Sequence, residues 1–497
     1  MDGINIHMFL EGLASAASPV NLGACFLGVV LGTLVGVLPG LGPTAAMSLM
    51  LPFSVRYGPE AGLIMLAGVW YGAMYGGSTT AILVNVPGEA ASVATCLDGY
   101  QMARKGRAGA ALALVALGSW VAGTIAVVCL QAFAPTLASV ALSFGPSEFL
   151  ALSLFCFVVL SGLIGESQTK GLTMLFLGLL LSTVGIDPLT GSLRFTFGSP
   201  RLMQGIDFIP VTVGIFGLAE VLRTLGVPDA GTRAQVRFRE LYPSREEARR
   251  SVGPSLRGAA IGFASGLIPG PAPTVASFLS YSVERQISPR RTEFGTGMVE
   301  GVVGPESANN AAVIGAMAPL FGLGIPFSPT AAVLMAGLRM HDVDPGPMLF
   351  HKAPGIFWAF IAAMYLANAM LLVLNLPLVG VFARIATSPK YVLLPFVSAI
   401  CLLGAYCVRF SPLDIWIMLA AGVIGFFLQR RGFPPAPLVV GMVLGPLAEG
   451  NFRLTVQLFR DQWWGPFLRP ITLSLVLAAV VFQLVVVRRL RRHLVEG

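Results

Sequence analysis

Charge is scarce in this chain: of its 497 residues only 11% are Asp, Glu, Lys or Arg, against 55% hydrophobic, whereas a soluble domain carries about 25% charged residues. With a mean hydropathy of +0.79, a string of water-soluble domains is excluded and one continuous, all-α polytopic membrane body is expected. Catalytic signatures are missing as well. There is no HExxH, no GxSxG elbow and no Walker loop, so hydrolysis and ATP-driven pumping on this chain have no residues to carry them. The six cysteines (Cys25, Cys96, Cys129, Cys156, Cys401, Cys407) form no CxxC pair and lie mostly in apolar runs. That excludes a disulfide frame or a zinc site and leaves buried free thiols. His341 with Asp342 and Asp344 precedes Pro345-Gly346-Pro347 and reads as a polar turn rather than a metal cluster. Residues 1 to 19 contain no Lys or Arg, and without a basic n-region a cleaved signal peptide is not expected.

What basic charge exists is concentrated. Arg104, Lys105 and Arg107 close one polar stretch, and Arg223, Arg233, Arg237, Arg239, Arg245, Arg249, Arg250 and Arg257 sit among only four acids in a second. A net charge of +8 therefore reports loops held in the cytoplasm, not a nucleic-acid partner. Four spans, near 109–134, 148–164, 171–186 and 208–226, join the two basic stretches, and an even number returns the chain to the same side. A short amphipathic surface helix is expected from Ser244 to Arg250. Further spans near 354–383, 391–409, 412–428, 436–448 and 470–487 end at Arg384 and Lys390, at Arg430 and Arg431, and at Arg488, Arg489, Arg491 and Arg492, so the C-terminus is expected in the cytoplasm. Trp463 and Trp464 suit an interfacial belt on the opposite face. The whole gives about 12 transmembrane segments.

Gly (58) and Pro (35) are plentiful, and they interrupt the apolar runs at particular places. The run 20–38 stops at Pro39-Gly40-Leu41-Gly42-Pro43-Thr44 and resumes only for Thr44 to Phe53, too short to span. Either a re-entrant hairpin or one long kinked span follows. The run 61–75 is expected to break at Tyr75-Gly76-Gly77-Ser78-Thr79-Thr80 before continuing to Val86 and Asn85-Val86-Pro87-Gly88-Glu89. Broken backbone at membrane depth must line a cavity, because each unpaired group costs several kcal/mol in lipid.

The pattern recurs. Gly266-Leu267-Ile268-Pro269-Gly270 and Thr274 match Gly36-Val37-Leu38-Pro39-Gly40 and Thr44 at an offset of 230, and Gly297, Gly301 and Ser307 match Gly68, Gly72 and Ser78 at an offset of 229. We read a first repeat over 1–226, an Arg-rich cytoplasmic linker over 227–257, and a second repeat plus C-terminal spans over 258–497. The second copy starts from the cytoplasmic loop and the first from the uncharged N-terminus, so the copies are expected to be inverted, a pointer to alternating-access transport.

Neither break carries Lys or Arg. Each offers backbone N–H groups at half-helix N-termini, which attract carboxylates, with hydroxyls and amides beside them. The candidate substrate and ion site is Pro39, Gly40, Gly42, Thr44, Gly77, Ser78, Thr79, Thr80 and Asn85 from the first copy. Pro269, Gly270, Thr274, Glu306, Ser307, Asn309, Asn310 and Pro326 complete it from the second. Freed carbonyls and hydroxyls nearby suit Na+. Glu306, a carboxylate at depth, marks a cation or proton pathway or else caps a broken helix end; Glu300 is similar but nearer the surface. Glu89 and Asp98 read as caps or gating contacts. Small and hydroxyl residues also serve simply to pack helices closely in lipid.

At these residues the sequence resembles the large membrane subunit of the tripartite tricarboxylate transporters, the TctA-like family. Tyr75 to Leu83, Asn85, Pro87-Gly88-Glu89 and Asp98-Gly99-Tyr100 carry its first signature. Pro305-Glu306, Ala308-Asn309-Asn310-Ala311 and Gly324-Ile325-Pro326 carry the second, and Pro437-Leu438-Val439, Gly445-Pro446 and Glu449 the C-terminal one. The resemblance implies a multi-pass secondary transporter of the bacterial inner membrane that takes up citrate or related carboxylates on an ion gradient, Na+ or H+, with no other cofactor. A TctC-like periplasmic binding protein would deliver substrate and a small TctB-like membrane subunit would complete the complex. Two departures are visible: the second PGxG is Pro269-Gly270-Pro271-Ala272, and Phe327 stands where a Gly is usual, which is expected to shrink the pocket. The competing readings are a passive channel or a non-transporting scaffold, and an intramembrane enzyme, for which no nucleophile and base pair can be named.

Overall fold

A computed structural model describes residues 6–38, 42–85, 87–163, 167–187, 189–225, 242–378, 380–382 and 390–496. Pro39, Gly40, Val86, Arg384 and residues 227–241 of the expected 227–257 linker lie outside the described residues. The chain is an assembly of helices. In order these are α1 (Ile6–Ala16), α2 (Pro19–Val37), α3 (Pro43–Ser54), α4 (Gly58–Val84), α5 (Val93–Arg104), α6 (Ala108–Ala141), α7 (Pro146–Leu163) and α8 (Gln168–Ser182). A two-residue antiparallel ladder, Gly185–Ile186 with Leu193–Arg194, follows. Next come α9 (Phe208–Leu225), α10 (Arg245–Gly266), α11 (Ala272–Ile287), α12 (Val299–Gly315), α13 (Met317–Leu323), α14 (Pro329–Met340), α15 (Leu349–Lys352) and α16 (Pro354–Asn375). The last are α17 (Lys390–Cys407), α18 (Pro412–Arg430), α19 (Ala436–Leu458) and α20 (Pro470–Glu496). Several are long and apolar enough to cross a membrane, α6 and α16 among them, so this is an all-α, multi-pass membrane protein. The surface helix expected over 244–250 is the first turn of α10, opened by a Ser244–Glu247 capping box.

Four helices, α6 to α9, separate the two basic stretches. An ion pair between Arg107 and Glu247 then ties those stretches together, so they share one side of the molecule as the even span count required.

The break expected at Gly76 to Thr80 does not exist. α4 is unbroken from Gly58 to Val84, because its glycines serve contact instead of flexibility. A Cβ on Gly28, Gly32 or Gly36 of α2 would lie 2.2 to 2.3 Å from the carbonyl oxygens of Met65, Val69 and Ala73. Gly72 and Gly76 answer from α4, 2.5 and 2.4 Å from the oxygens of Val29 and Thr33. Two helices with small residues every fourth position thus meet backbone to backbone. Contacts that advance together along both helices make α2 and α4 parallel. α3 must carry the chain back between them, so of the two readings of this region the single long kinked span is not observed and the chain turns back as a hairpin.

α10 and α12 repeat the arrangement. Gly258, Gly262 and Gly266 press on the oxygens of Gly304, Ala308 and Ala312. The offset of 230 between α2 and α10 therefore holds, but Met65, Val69 and Ala73 correspond to residues 239 positions on. The match of Gly68, Gly72 and Ser78 with Gly297, Gly301 and Ser307 is accordingly not a structural one. The longer α11 and the segment 288–298 occupy the difference. In the corrected register Asn85 (φ 57°, ψ 30°) matches Gly324 (φ 72°, ψ 22°), both left-handed residues closing a helix, and Pro87 matches Pro326.

The two units run in opposite senses. α6 is parallel to α12 and α13, since Ser119 meets Asn310 and Leu137 meets Gly322. α4 is antiparallel to α6: Tyr71 abuts Gly123, whereas Ile82 and Leu83 cluster with Leu112 to Val115. Equivalent helices α4 and α12 therefore point opposite ways. Around them α7, α8, α19 and α20 form one scaffold cluster, and α9 and α18 join a second with α8 and α19.

Candidate functional site

Glu306 occupies the crossing of α4 and α12. It lies inside a continuous helix rather than at a break, and it is wholly buried. Ser78 of α4 donates to one of its oxygens at 2.7 Å and Thr95 of α5 to the other at 2.5 Å. Asn309, one turn further along α12, turns its amide nitrogen toward Glu306 (3.4 Å) and Glu89 (2.9 Å). Two carboxylates from opposite units are thereby bridged by one side chain.

The close approach depends on two glycines. A Cβ on Gly77 would lie 3.0 Å from the Glu89 side chain and 3.1 Å from the Ser92 hydroxyl. Gly88 is held 2.3 Å from the Gly36 oxygen and 2.6 Å from the Gly77 Cα on the same measure. The turn after α4 thus folds back onto α2 and α4, which delivers Glu89 and Ser92 to the cluster.

A second convergence lies where two helices begin. Pro43 opens α3 and Pro329 opens α14, both positions where a missing N–H costs nothing. The hydroxyls of Thr44 and Thr330, one residue further in, meet at 2.7 Å in a buried contact. Two helix N-termini, each carrying positive partial charge, are brought tip to tip.

The candidate residues divide accordingly. Ser78, Glu306 and Asn309 are brought together, with Gly77 making room. Thr44 is at the tip contact, where Gly42 caps α3 with open space around its Cα. Thr79 is buried in α4, and Thr80 bonds back to the Gly77 carbonyl at 3.1 Å. Asn85 is exposed and closes α4. Pro269 and Gly270 form the turn before α11, where Gly270 (φ 145°) donates to the Phe327 carbonyl at 3.0 Å; Thr274 is half-buried in α11 and Pro326 is buried in the turn before α14. Ser307 and Asn310 face the other way: Asn310 donates to Ser119 at 2.8 Å, and Ser307 abuts Gly118 and Gly258. The Phe327 ring is buried in the scaffold cluster with Leu152, Phe157, Val440 and Leu444.

Thr95, Ser92 and Thr330 were not anticipated. The alternation of hydroxyls and small residues from Ala90 to Asp98 is the signal that marks the first two. Asp98 proves to be a cap: Gly295, Gly297 and Met298 donate their backbone N–H groups to one oxygen at 2.7 to 2.9 Å, and Tyr281 donates its hydroxyl to the other at 2.9 Å. Glu300 pairs with Arg250 and Glu284 with Arg257, each at 2.7 Å. Among the described residues no group of three or more His, Cys, Asp and Glu could hold a metal ion, and His341 lies against Gly62.

The arrangement offers anion-attracting helix tips and, separately, a buried acidic cluster, both built from two opposed units, as a membrane carrier requires. Comparison with known proteins agrees. The chain is 46% identical over 476 residues, 95% of each chain, to the uncharacterized 52.8 kDa protein in the TAR-I ttuC′ 3′ region of Agrobacterium vitis. A second protein of that organism, from the TAR-II ttuC′ 3′ region, is 39% identical over 211 residues, covering 42% of this chain and 87% of the relative. No solved structure matches. The sequence profile of the tripartite tricarboxylate transporter TctA family matches residues 22–440, and the chain belongs to that family.

Proposed function

We propose that this transporter subunit takes up citrate or another di- or tricarboxylate across the bacterial inner membrane, driven by a Na+ or proton gradient. A periplasmic binding protein of the TctC type hands over the substrate and a small TctB-like subunit completes the permease. The C-terminus lies in the cytoplasm with the basic loops. The observation that carries the substrate class is the meeting of the α3 and α14 N-termini at Thr44 and Thr330. Two helix tips with hydroxyls and no basic side chain suit a carboxylate, because the backbone supplies positive partial charge without the cost of burying Lys or Arg in lipid. The opposed senses of α4 and α12 support alternating access, each unit presenting its tips toward one side. Uptake of labelled citrate, tartrate and succinate into proteoliposomes with both partners tests the proposal. Substrate accumulation that ignores collapse of both gradients rejects it, as does full uptake by the Thr44→Val, Thr330→Val double variant.

A further inference from the structure

We infer that the end of α11 and the segment after it form a binding site for an anionic phospholipid, whose phosphate is held between Arg285 and Arg291. A cavity of about 430 Å³ opens there, lined by Tyr281, Ser282, Arg285, Gln286, Arg291 and Thr292, a size usual for a small-ligand site. Guanidinium forks match phosphate oxygens, and the hydroxyls and the amide beside them add donors. No carboxylate lines the cavity. Glu284 and Glu300 are taken by Arg257 and Arg250, and Asp98 by backbone amides. Glu293, two residues beyond Arg291, is exposed and stands outside the lining. Among the described residues neither lining arginine is in an ion pair, so both charges are free for a ligand.

The surface beside the cavity selects a lipid over a soluble anion. Val275, Phe278 and Leu279 of α11 are 42, 42 and 47% exposed, and at helical spacing they stand on the same face as Ser282, Arg285 and Gln286. An apolar strip therefore runs straight into a basic cavity, as an acyl chain and its headgroup require; a soluble anion would need only the cavity. The level is right as well. The end of α11 lies on the side of the basic loops, since Glu284 pairs with Arg257 of α10 and the start of α10 pairs with Arg107. Basic cavities between helices at that face are where anionic headgroups bind.

The cavity adjoins the contact that fastens the two units. Arg291 belongs to the segment whose Gly295, Gly297 and Met298 amides address Asp98 of α5, and Tyr281 of the lining donates to the same carboxylate. Phe294 of that segment packs edge-on against the Tyr281 ring at 5.5 Å. A phosphate shared by Arg285 and Arg291 ties α11 to this segment, so the lipid stabilises the state in which the Asp98 contact is closed. The consequence for transport, though not the binding itself, rests on the uptake function proposed above.

The test uses the purified full-length chain, delipidated in detergent, without substrate or partners. Thermal unfolding is followed as dioleoylphosphatidylglycerol, dioleoylphosphatidylcholine or inorganic phosphate is added. Expected is a saturable rise in the midpoint with phosphatidylglycerol and little or none with the other two. The Arg285→Gln, Arg291→Gln double variant should lose apparent affinity by about tenfold or more. Arg290→Gln, which removes an exposed arginine outside the cavity, should stay within about threefold of the wild type. Equal responses of the wild type to the two lipids, or none to either, overturn the inference, and this comparison needs no variant to fold. A matching response to inorganic phosphate overturns it too, by making the site one for a soluble anion. So do an unchanged response in the double variant and an equal loss in Arg290→Gln, which would reduce the effect to bulk charge. Failed carboxylate uptake with an intact lipid response rejects only the uptake proposal; uptake without any lipid response rejects only this site.

Discussion

Replacing Asp98 tests how the two units are fastened on the side of the basic loops. Its carboxylate receives three backbone N–H groups from the segment before α12 and the Tyr281 hydroxyl, all at 2.7 to 2.9 Å. Asp98→Ala leaves three amide donors facing a void. At about 1–3 kcal/mol for each unsatisfied buried donor the loss comes to about 3–9 kcal/mol, enough to remove much of a protein's net stability. Asp98→Asn keeps the oxygen that the three amides address, and the Tyr281 hydroxyl can rotate to accept from the new amide. It gives up only the charge assistance, about 1–3 kcal/mol in all. Thermal unfolding in detergent, read by size-exclusion recovery of both variants, should rank wild type above Asp98→Asn well above Asp98→Ala. Equal losses for the two variants would refute the backbone-capping argument, since charge alone would then account for the effect. No loss in either would refute the contact itself.

Other expectations concern separate parts of the fold. Gly32→Ala should cost about 1–3 kcal/mol by overpacking, since its Cβ would lie 2.3 Å from the Val69 oxygen; Gly42→Ala, with nothing within 4 Å, should leave the unfolding midpoint unchanged. A double-mutant cycle of Thr44→Val and Thr330→Val should return a coupling of about 0.5–1.5 kcal/mol, and additive losses would show that the two hydroxyls do not bond. Asp187 accepts from Arg453 at 3.1 and 3.0 Å, and that hydrogen bonding holds its carboxyl well below the ordinary aspartate range. A group depressed in the folded state contributes stability above its unfolded value and loses it as pH falls through the folded one. Acid titration of unfolding should accordingly show a component below about pH 4 that Asp187→Asn abolishes, and an unchanged acid limb would dismiss the pair as a contributor.

Hydropathy made the spans from α6 to α9 legible, and the basic loops placed their ends, because bilayer thickness and the cost of charge in lipid act on every residue alike. The glycine runs were not legible in the same way. Gly76-Gly77 reads as a helix breaker only if no partner is known; with Thr33 and Gly36 of α2 against it, the same pair lets an unbroken helix approach another backbone. The second repeat offset was misread for a related reason, since matching Ser78 with Ser307 ignored that α11 is longer than α3, a difference that only packing register exposes. Glu306 is legible as a buried acid, whereas the hydroxyls of Ser92 and Thr95, set among small residues, point to the site only once the turn at Gly88 folds them back toward it. Phe327 looked like an obstruction, yet a side chain's direction out of a turn is set by the scaffold it meets.

Carbonyl oxygens seated against bare Cα atoms along α2 and α4, and again along α10 and α12, leave neither pair room to slide by less than a full turn. Each behaves as a stiff blade, and any displacement during a work cycle falls to the seam between blades. That seam holds an apolar cluster that includes Ile82, Leu83, Val302 and Val303 and, beside it, hydroxyls, amides and carboxylates, groups that can trade partners with water or cargo at little net expense.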